Sequence, residues 1–208
     1  MILGKTFLET GMDRSVPYLE VILEKTDTSV YPKYELPAGF SFSQYKPGFD
    51  KQWATLNYDI THTESLEEAE TIFREEFMKD FESLKQKMVF AVDENNNLAG
   101  VGAIWDGNDF GEIHQRLHWI AVAAQYQNRG IAKAVISKAL DIYNNLGYNG
   151  YIYLTSQTWS YKALNIYMKF GFKPYMGEKP VNWDEDWRPV EAWNIINEKL
   201  DEYRNKKS

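Results

Sequence analysis

The chain predicts an α/β (α+β) fold in which a mixed sheet, entered through an antiparallel meander, carries helices on both faces; three observations lead there. Hydrophobic periodicity gives the element order β, α, α, β, β, β, α, β, α, β, with strands and helices interleaved rather than segregated. A single crossover unit, strand 112–122, helix 130–146 and strand 151–154, makes its two strands parallel or splayed neighbours under the right-handed crossover rule. Finally, 208 residues at 44% apolar content can bury one substantial core but leave little room for a second full domain, so one domain over 1–208 is expected.

Residues 18–23 supply the first strand, where Leu19, Val21 and Leu23 alternate with Tyr18, Glu20 and Ile22. After Pro37-Ala38-Gly39, residues 40–45 repeat with period two, aromatic on one face, and stop at Pro47-Gly48. A short helix over 49–59 follows. Ser65 opens the next helix as a capping box: its hydroxyl accepts from the amide of Glu68, and Glu68 reaches back. Leu66, Ala69, Phe73, Phe77, Phe81 and Leu84 then form one apolar stripe, leaving Glu67, Glu70, Glu75 and Glu76 outside it. Residues 88–92 and 98–105 make a hairpin around Glu94-Asn95-Asn96-Asn97. Strand 112–122 leads to helix 130–146, which presents Ile131, Val135, Ile142 and Leu146 on one face and ends at Gly147. Strand 151–154, a helix over 159–170 stopped by Gly171, and a short strand over 172–175 come next. Pro189 suits the first turn of a last helix with the stripe Ala192, Ile196, Leu200 and Tyr203.

Composition removes whole classes of function. With no cysteine, disulfides, thiolate catalysis and sulfur-ligated zinc are excluded. A formal net charge of −7 disfavours nucleic acid, whose binding releases counterions from a clustered basic surface, and suits a cationic small molecule. The same acidity also keeps a protein soluble without any partner. No apolar run approaches the roughly 20 residues that span a bilayer, and Met1-Ile2-Leu3-Gly4-Lys5 lacks a signal peptide's apolar segment, so no membrane partner and a cytoplasmic location are expected. His114 and His118 have a helix-chelate spacing, but in a strand their Cα atoms stand about 13 Å apart, so no metal is expected there.

The hexapeptide Gln127-Asn128-Arg129-Gly130-Ile131-Ala132 joins strand 112–122 to the following helix. A helix N-terminus leaves backbone N–H groups unpaired and carries a partial positive charge, so anions settle there. Gly130 and Ala132 keep side chains out of the way, while Arg129 and Lys133 add positive charge. Taken alone, the same residues also fit a plain glycine-capped turn. No Gly-x-x-x-x-Gly-Lys-[Ser/Thr] string exists, and Gly100-Val101-Gly102 lacks a third glycine and lies in a strand.

Three segments in order, Leu117-His118-Trp119-Ile120-Ala121-Val122, Gln127-x-x-Gly130-x-Ala132 and Ala163-x-x-x-Tyr167-x-Lys169-x-Gly171-Phe172, resemble the GNAT-type N-acetyltransferase superfamily over about residues 40–175. The resemblance implies a mixed, mostly antiparallel twisted sheet with splayed central strands, to which residues 1–38 add a strand and 176–208 a helix. It implies acetyl-CoA as co-substrate, with the coenzyme diphosphate held at Gln127, Asn128, Arg129, Gly130, Ile131, Ala132 and Lys133 and the pantetheine arm along Ile120 and Val122. The Val122 amide would polarise the thioester carbonyl, and Tyr167 would protonate the departing thiolate. One departure is visible: Ser160 stands where the family pattern has Asn, a shorter side chain for contacting the coenzyme.

An amine attacks a thioester only when neutral, so a base must take its proton. His118, on the coenzyme strand and four residues before Val122, is the first candidate; it also fits a buried structural histidine. Glu112 and Glu20 are the runners-up. A small-molecule primary amine is the expected acceptor, gripped by Glu64, Glu67, Glu68 and Glu70 or by Trp183-Asp184-Glu185-Asp186-Trp187, a stretch that equally suits a solvated loop. Two other readings stay open: an acetyl-CoA-binding module without turnover, and a protein or peptide N-acetyltransferase. Strand 18–23 either completes the sheet or meets a second subunit in a homodimer.

Overall fold

The computed structural model describes residues 11–60, 62–183 and 187–206. These fall into two compact units: Pro32–Trp105 with Leu117–Asn149, and the described parts of Met1–Tyr31, Asp106–Arg116 and Gly150–Ser208.

In the first unit, β2 (Phe40–Ser43), β3 (Met88–Asp93) and β4 (Leu98–Gly107) are antiparallel neighbours, with Phe40 opposite Asp93 and Met88 opposite Ala103. The Asp93 carboxylate closes the hairpin by accepting from the amides of Asn95 and Asn97, while Asn96 takes a φ of 61°. Next to β4 runs β5 (His114–Val122). It begins two residues later than its sequence suggests, because Gly111 turns at a φ of 80° and leaves Glu112 on an exposed bend. Strand β4 is buried on both faces, and its glycines make that possible. A Cβ on Gly100 would lie 2.8 Å from Ile131 Cγ2, and one on Gly102 2.4 Å from Ile120 Cδ1 and 2.8 Å from Val135 Cγ1. Helix α4 (Ile131–Asn145) therefore lies directly on the strand.

An aromatic core forms between the sheet and α1 (Phe49–Asp59), with Phe49, Trp53, Phe73, Phe77 and Phe90 nearly or fully buried. The long helix expected from Ser65 onward is instead broken into α2 (Leu66–Ile72), a π turn (Phe73–Phe77), a 3₁₀ turn (Met78–Asp80) and α3 (Phe81–Lys87). The Ser65 hydroxyl accepts from the Glu68 amide at 3.0 Å as expected, but Glu68 reaches back to the amide of Glu64 rather than Ser65. A π turn spreads residues more widely than an α-helix and rotates the downstream residues about the helix axis. Ala69, Phe73, Phe77 and Leu84 stay in the core, while Leu66 and Phe81 at the ends of the stripe are 42% and 40% exposed. Asp80 restarts the helix by accepting from the Ser83 amide at 3.0 Å.

In the second unit, β1 (Glu20–Lys25) lies between β6 (Ile152–Gln157) and β7 (Lys173–Pro174) and is antiparallel to both. Glu20 faces Gln157, Lys25 faces Ile152, and Leu23 faces Pro174. With strands on both edges, Val21, Ile22 and Leu23 are all fully buried, so the simple alternation expected of this strand gives way to burial on both faces. Strands β5 and β6 are parallel, one of the two arrangements expected of the crossover unit, with Arg116 opposite Tyr153. A 3₁₀ turn (Thr158–Ser160) precedes α5 (Tyr161–Lys169), replacing the first turn of the helix expected there. The hydroxyl of Thr158 donates to the Pro17 carbonyl and accepts from the Leu19 amide, and Trp159 Nε1 donates to the Val16 carbonyl, which ties the segment before β1 to this turn. Helix α6 (Pro189–Asn205) buries Ala192, Ile196 and Leu200 against β1 and α5. The strands together give a mixed sheet, parallel at β5 and β6 and antiparallel in the other registered pairs.

Candidate active site

At the end of β5, the first unit folds a short connection onto the strand. Gln127 Nε2 donates to the Val122 carbonyl at 3.3 Å across a 3₁₀ turn (Ala124–Tyr126). Two left-handed residues then aim the chain into α4: Asn128 at a φ of 63° and Gly130, the N-cap, at 91°. No side chain caps this helix, so the N–H groups of its first turn face outward as donors. Arg129 sits 5.6 Å over the Tyr126 ring, and the Tyr126 hydroxyl donates to Asp93 at 2.8 Å, which anchors the connection to the β3–β4 hairpin. Lys133 lies 5.1 Å over the Tyr34 ring. Ile120 packs its side chain toward Gly102. A cavity of about 320 Å³ adjoins the connection, lined by Lys51, Gln52, Asp59, Asn97, Ala123 and Tyr126 among others. The arrangement offers backbone donors, one helix dipole and two cations to an anion.

Four residues up the strand, His118 is mostly buried and its Nε2 lies 2.6 Å from Glu76 Oε1. The other Glu76 oxygen accepts from Trp119 Nε1 at 3.1 Å. Trp119 has a φ of 48°, which interrupts the strand's alternation between His118 and Val122. Phe77 and Trp53 pack on these rings at centroid separations of 6.2 Å to His118 and 5.0 Å to Trp119. Glu76 is the residue that periodicity misplaces: the sequence sets it on the solvent side of a regular helix, and the π turn carries it inward to His118. A glutamate-rich stretch interrupted by two phenylalanines is the only sequence trace of it. Nearby, His62 is held by Asn57, and burial pushes its pKa down to about 4, so it stays neutral.

The second unit holds Tyr167, Ser160 and Glu20. Tyr167 is 8% exposed on α5, packs against Phe172, and burial pushes its phenol well above the usual range. Ser160 is nearly buried and makes no capping bond to α5. Glu20 lines a cavity of about 240 Å³ with Tyr18, Asp109, Thr155, Gln157 and Trp183. Asp109 in its wall accepts from the Tyr153 hydroxyl and from Trp183 Nε1, with Arg116 at 3.6 Å. Of the acidic aromatic stretch, Trp183 and Trp187 pack edge to face at 5.2 Å, while Asp184, Glu185 and Asp186 lie outside the described residues. Among the described residues, no helix is long and apolar enough to cross a membrane.

Residues 52–172 match the Acetyltransferase (GNAT) family. Solved structures share the fold. A GCN5-related N-acetyltransferase from Sphaerobacter thermophilus aligns with a TM-score of 0.57 and 18% identity, over 75% of this chain and 48% of that one. A tandem GNAT protein from the clavulanic acid biosynthesis pathway gives 0.55 and 13%, over 79% and 52%. A GNAT-family acetyltransferase from Colwellia psychrerythraea gives 0.55 and 11%, over 77% and 55%. The chain thus spans about half the length of these proteins. No curated protein matches the sequence.

Proposed function

Because the chain belongs to the GNAT acetyltransferase family, we propose that it transfers an acetyl group from acetyl-CoA to the primary amine of a small molecule by direct attack of the amine on the thioester. The observation that carries this reading is the uncapped start of α4, reached through left-handed Asn128 and Gly130 directly from the end of β5. Such a start fits a diphosphate: its amides are donors, the helix dipole favours negative charge, and Arg129 and Lys133 flank it.

In this reading residues 127–133 hold the coenzyme diphosphate, Ile120 and Val122 the pantetheine arm, and Ser160 makes a further contact. The bound coenzyme supplies an activated acyl group with a thiolate leaving group. The Val122 N–H donates to the acyl oxygen as negative charge develops there, an effect worth about 3 kcal/mol for one donor. His118 takes the proton from the attacking ammonium, and Tyr167 gives one to the departing sulfur. As a phenol Tyr167 is protonated at neutral pH, the form an acid requires, and burial pushes its pKa further up. Acidity of the chain as a whole, at −7, favours the approach of a cationic acceptor.

A thiol-release assay over a panel of primary amines tests the proposal. Release that depends on the amine is expected. Acetyl-CoA binding with no release for any amine would point to a binding module, and release only with peptide acceptors to a peptide N-acetyltransferase. Gly130→Val forces a β-branched residue to a φ of 91°, a conformation costing about 1–3 kcal/mol. It is expected to raise the KM for acetyl-CoA at least about tenfold with a smaller change in the KM for the amine; equal effects on both would contradict the diphosphate assignment.

A further inference from the structure

Two rare backbone features converge on one carboxylate. In a regular strand, consecutive side chains point to opposite faces, so His118 and Trp119 should not reach the same acceptor. They do, at 2.6 Å and 3.1 Å, because Trp119 adopts a φ of 48°. On the other side, Glu76 reaches them from a π turn, a distortion that recurs at functional sites. Its neighbour Glu75 shows the alternative: with a side chain 49% exposed, it pairs at the surface with Arg74 at 3.2 Å and Lys79 at 2.7 Å. The side chain of Glu76 is 25% exposed and that of His118 15%. Strained, non-glycine backbone on one partner and an irregular helix on the other are costly unless the geometry they create is used.

We infer that Glu76 is a positioning residue for His118, fixing the imidazole as its Nε2–H tautomer and placing the proton-accepting lone pair on Nδ1. An ionised carboxylate can only accept, so the nitrogen 2.6 Å from it must carry hydrogen. Neutral histidine has one N–H, which leaves Nδ1 as its basic atom. Trp119 completes the device. By occupying the second Glu76 oxygen it stops the carboxylate from turning, and so holds the plane of the imidazole as well as its tautomer. The inference rests on the reading of His118 as the base in acetyl transfer.

Glu76→Gln separates positioning from packing, since the shape is kept. An amide has one acceptor, while His118 and Trp119 present two donors. If the amide oxygen stays with Trp119, its NH₂ faces His118 and forces the Nδ1–H tautomer. Nitrogen-15 NMR at a pH where the histidines are neutral is expected to show His118 as Nε2–H in the natural protein and shifted toward Nδ1–H in Glu76→Gln. Turnover is expected to fall on the order of 100-fold in kcat, the usual contribution of a general base, with the KM for acetyl-CoA little changed. An Nδ1–H tautomer in the natural protein overturns the inference, as does a variant with unaltered tautomer and kcat. The tautomer readout needs no turnover, so it stands or falls separately from the acetyl-transfer reading.

Discussion

Asn57, fully buried on α1, donates its side-chain amide to the Trp53 carbonyl at 3.0 Å, which turns its oxygen toward His62 Nδ1 at 3.1 Å. That pairing needs a hydrogen on Nδ1 and is satisfied by neutral imidazole. A proton added to the ring would be buried, and burial lowers the pKa to about 4 from an ordinary value near 6.5. The sign follows from linkage: between pH 6.5 and 4 the unfolded chain binds this proton and the folded one does not, so stability falls as pH falls through that window and levels off below it. The full shift would be worth at most about 3 kcal/mol, and less here because the residue as a whole is only partly buried. Urea unfolding at pH 7 and pH 4 is therefore expected to show a larger loss for the natural protein than for His62→Gln. Equal losses would place the linked proton elsewhere. His118 and Glu76 show the limit of residue-level reading. The type and position of His118 can be picked out of the sequence, whereas its partner cannot, because helical periodicity assigns Glu76 to solvent and only the π turn brings it in.

Among the elements, β5, the 124–130 connection and α4 were legible because every signal in them is local: apolar strand residues, a left-handed glycine, then an amphipathic helix. The α2–α3 stretch was not. Its apolar spacing fits a straight helix for twenty residues, whereas the π turn coincides with Phe73 and Phe77, which pack on Trp53 at 5.3 and 5.7 Å, tertiary contacts that local spacing does not encode. Gly100 and Gly102 looked like a failed nucleotide motif, and their role is steric. Because a Cβ at Gly102 would press on both Ile120 Cδ1 and Val135 Cγ1, Gly102→Ala is expected to destabilise by about 1–3 kcal/mol even though alanine suits a strand better than glycine. Both contacts involve side-chain termini, so relaxation is available and the lower end of that range is expected for alanine, with valine worse. A urea midpoint unchanged or raised in Gly102→Ala would mean that β4 and α4 are less closely packed than these distances state. Ile120 lies on the strand assigned above to the coenzyme's pantetheine arm, so under that proposal the same variant is expected to raise the KM for acetyl-CoA.

At the scale of the whole chain, the backbone passes between the two units several times, and β1, the first strand among the described residues, is central to the second of them. Periodicity found that strand but not its place, because strand neighbours are set by long-range pairing that no local pattern encodes. Along six residues β1 pairs with β6, and it is also the partner of the two-residue β7; the Ile22 carbonyl accepts from the Tyr175 amide at 2.9 Å beyond that short strand. Val21, Ile22 and Leu23 are each fully buried, and each such side chain contributes about 1.5–3 kcal/mol by leaving water. Thr158, also fully buried, has both hydroxyl partners, Pro17 and Leu19, in the segment leading into β1. Removing residues 1–30 thus uncovers one edge of β6, detaches β7 and orphans a buried hydroxyl, losses comparable with the roughly 5–15 kcal/mol by which whole proteins are stable. The truncated chain is expected to lose its cooperative urea transition and to aggregate through the exposed β6 edge. A gentler probe is Ile22→Ala, which leaves the ladder intact and empties a cavity, with an expected cost of about 2–5 kcal/mol. If the truncated protein unfolded cooperatively at the natural midpoint, β1 would be an accessory rather than a structural strand, and the proposed acetyl-transfer chemistry would have to be sought in a domain that begins after it.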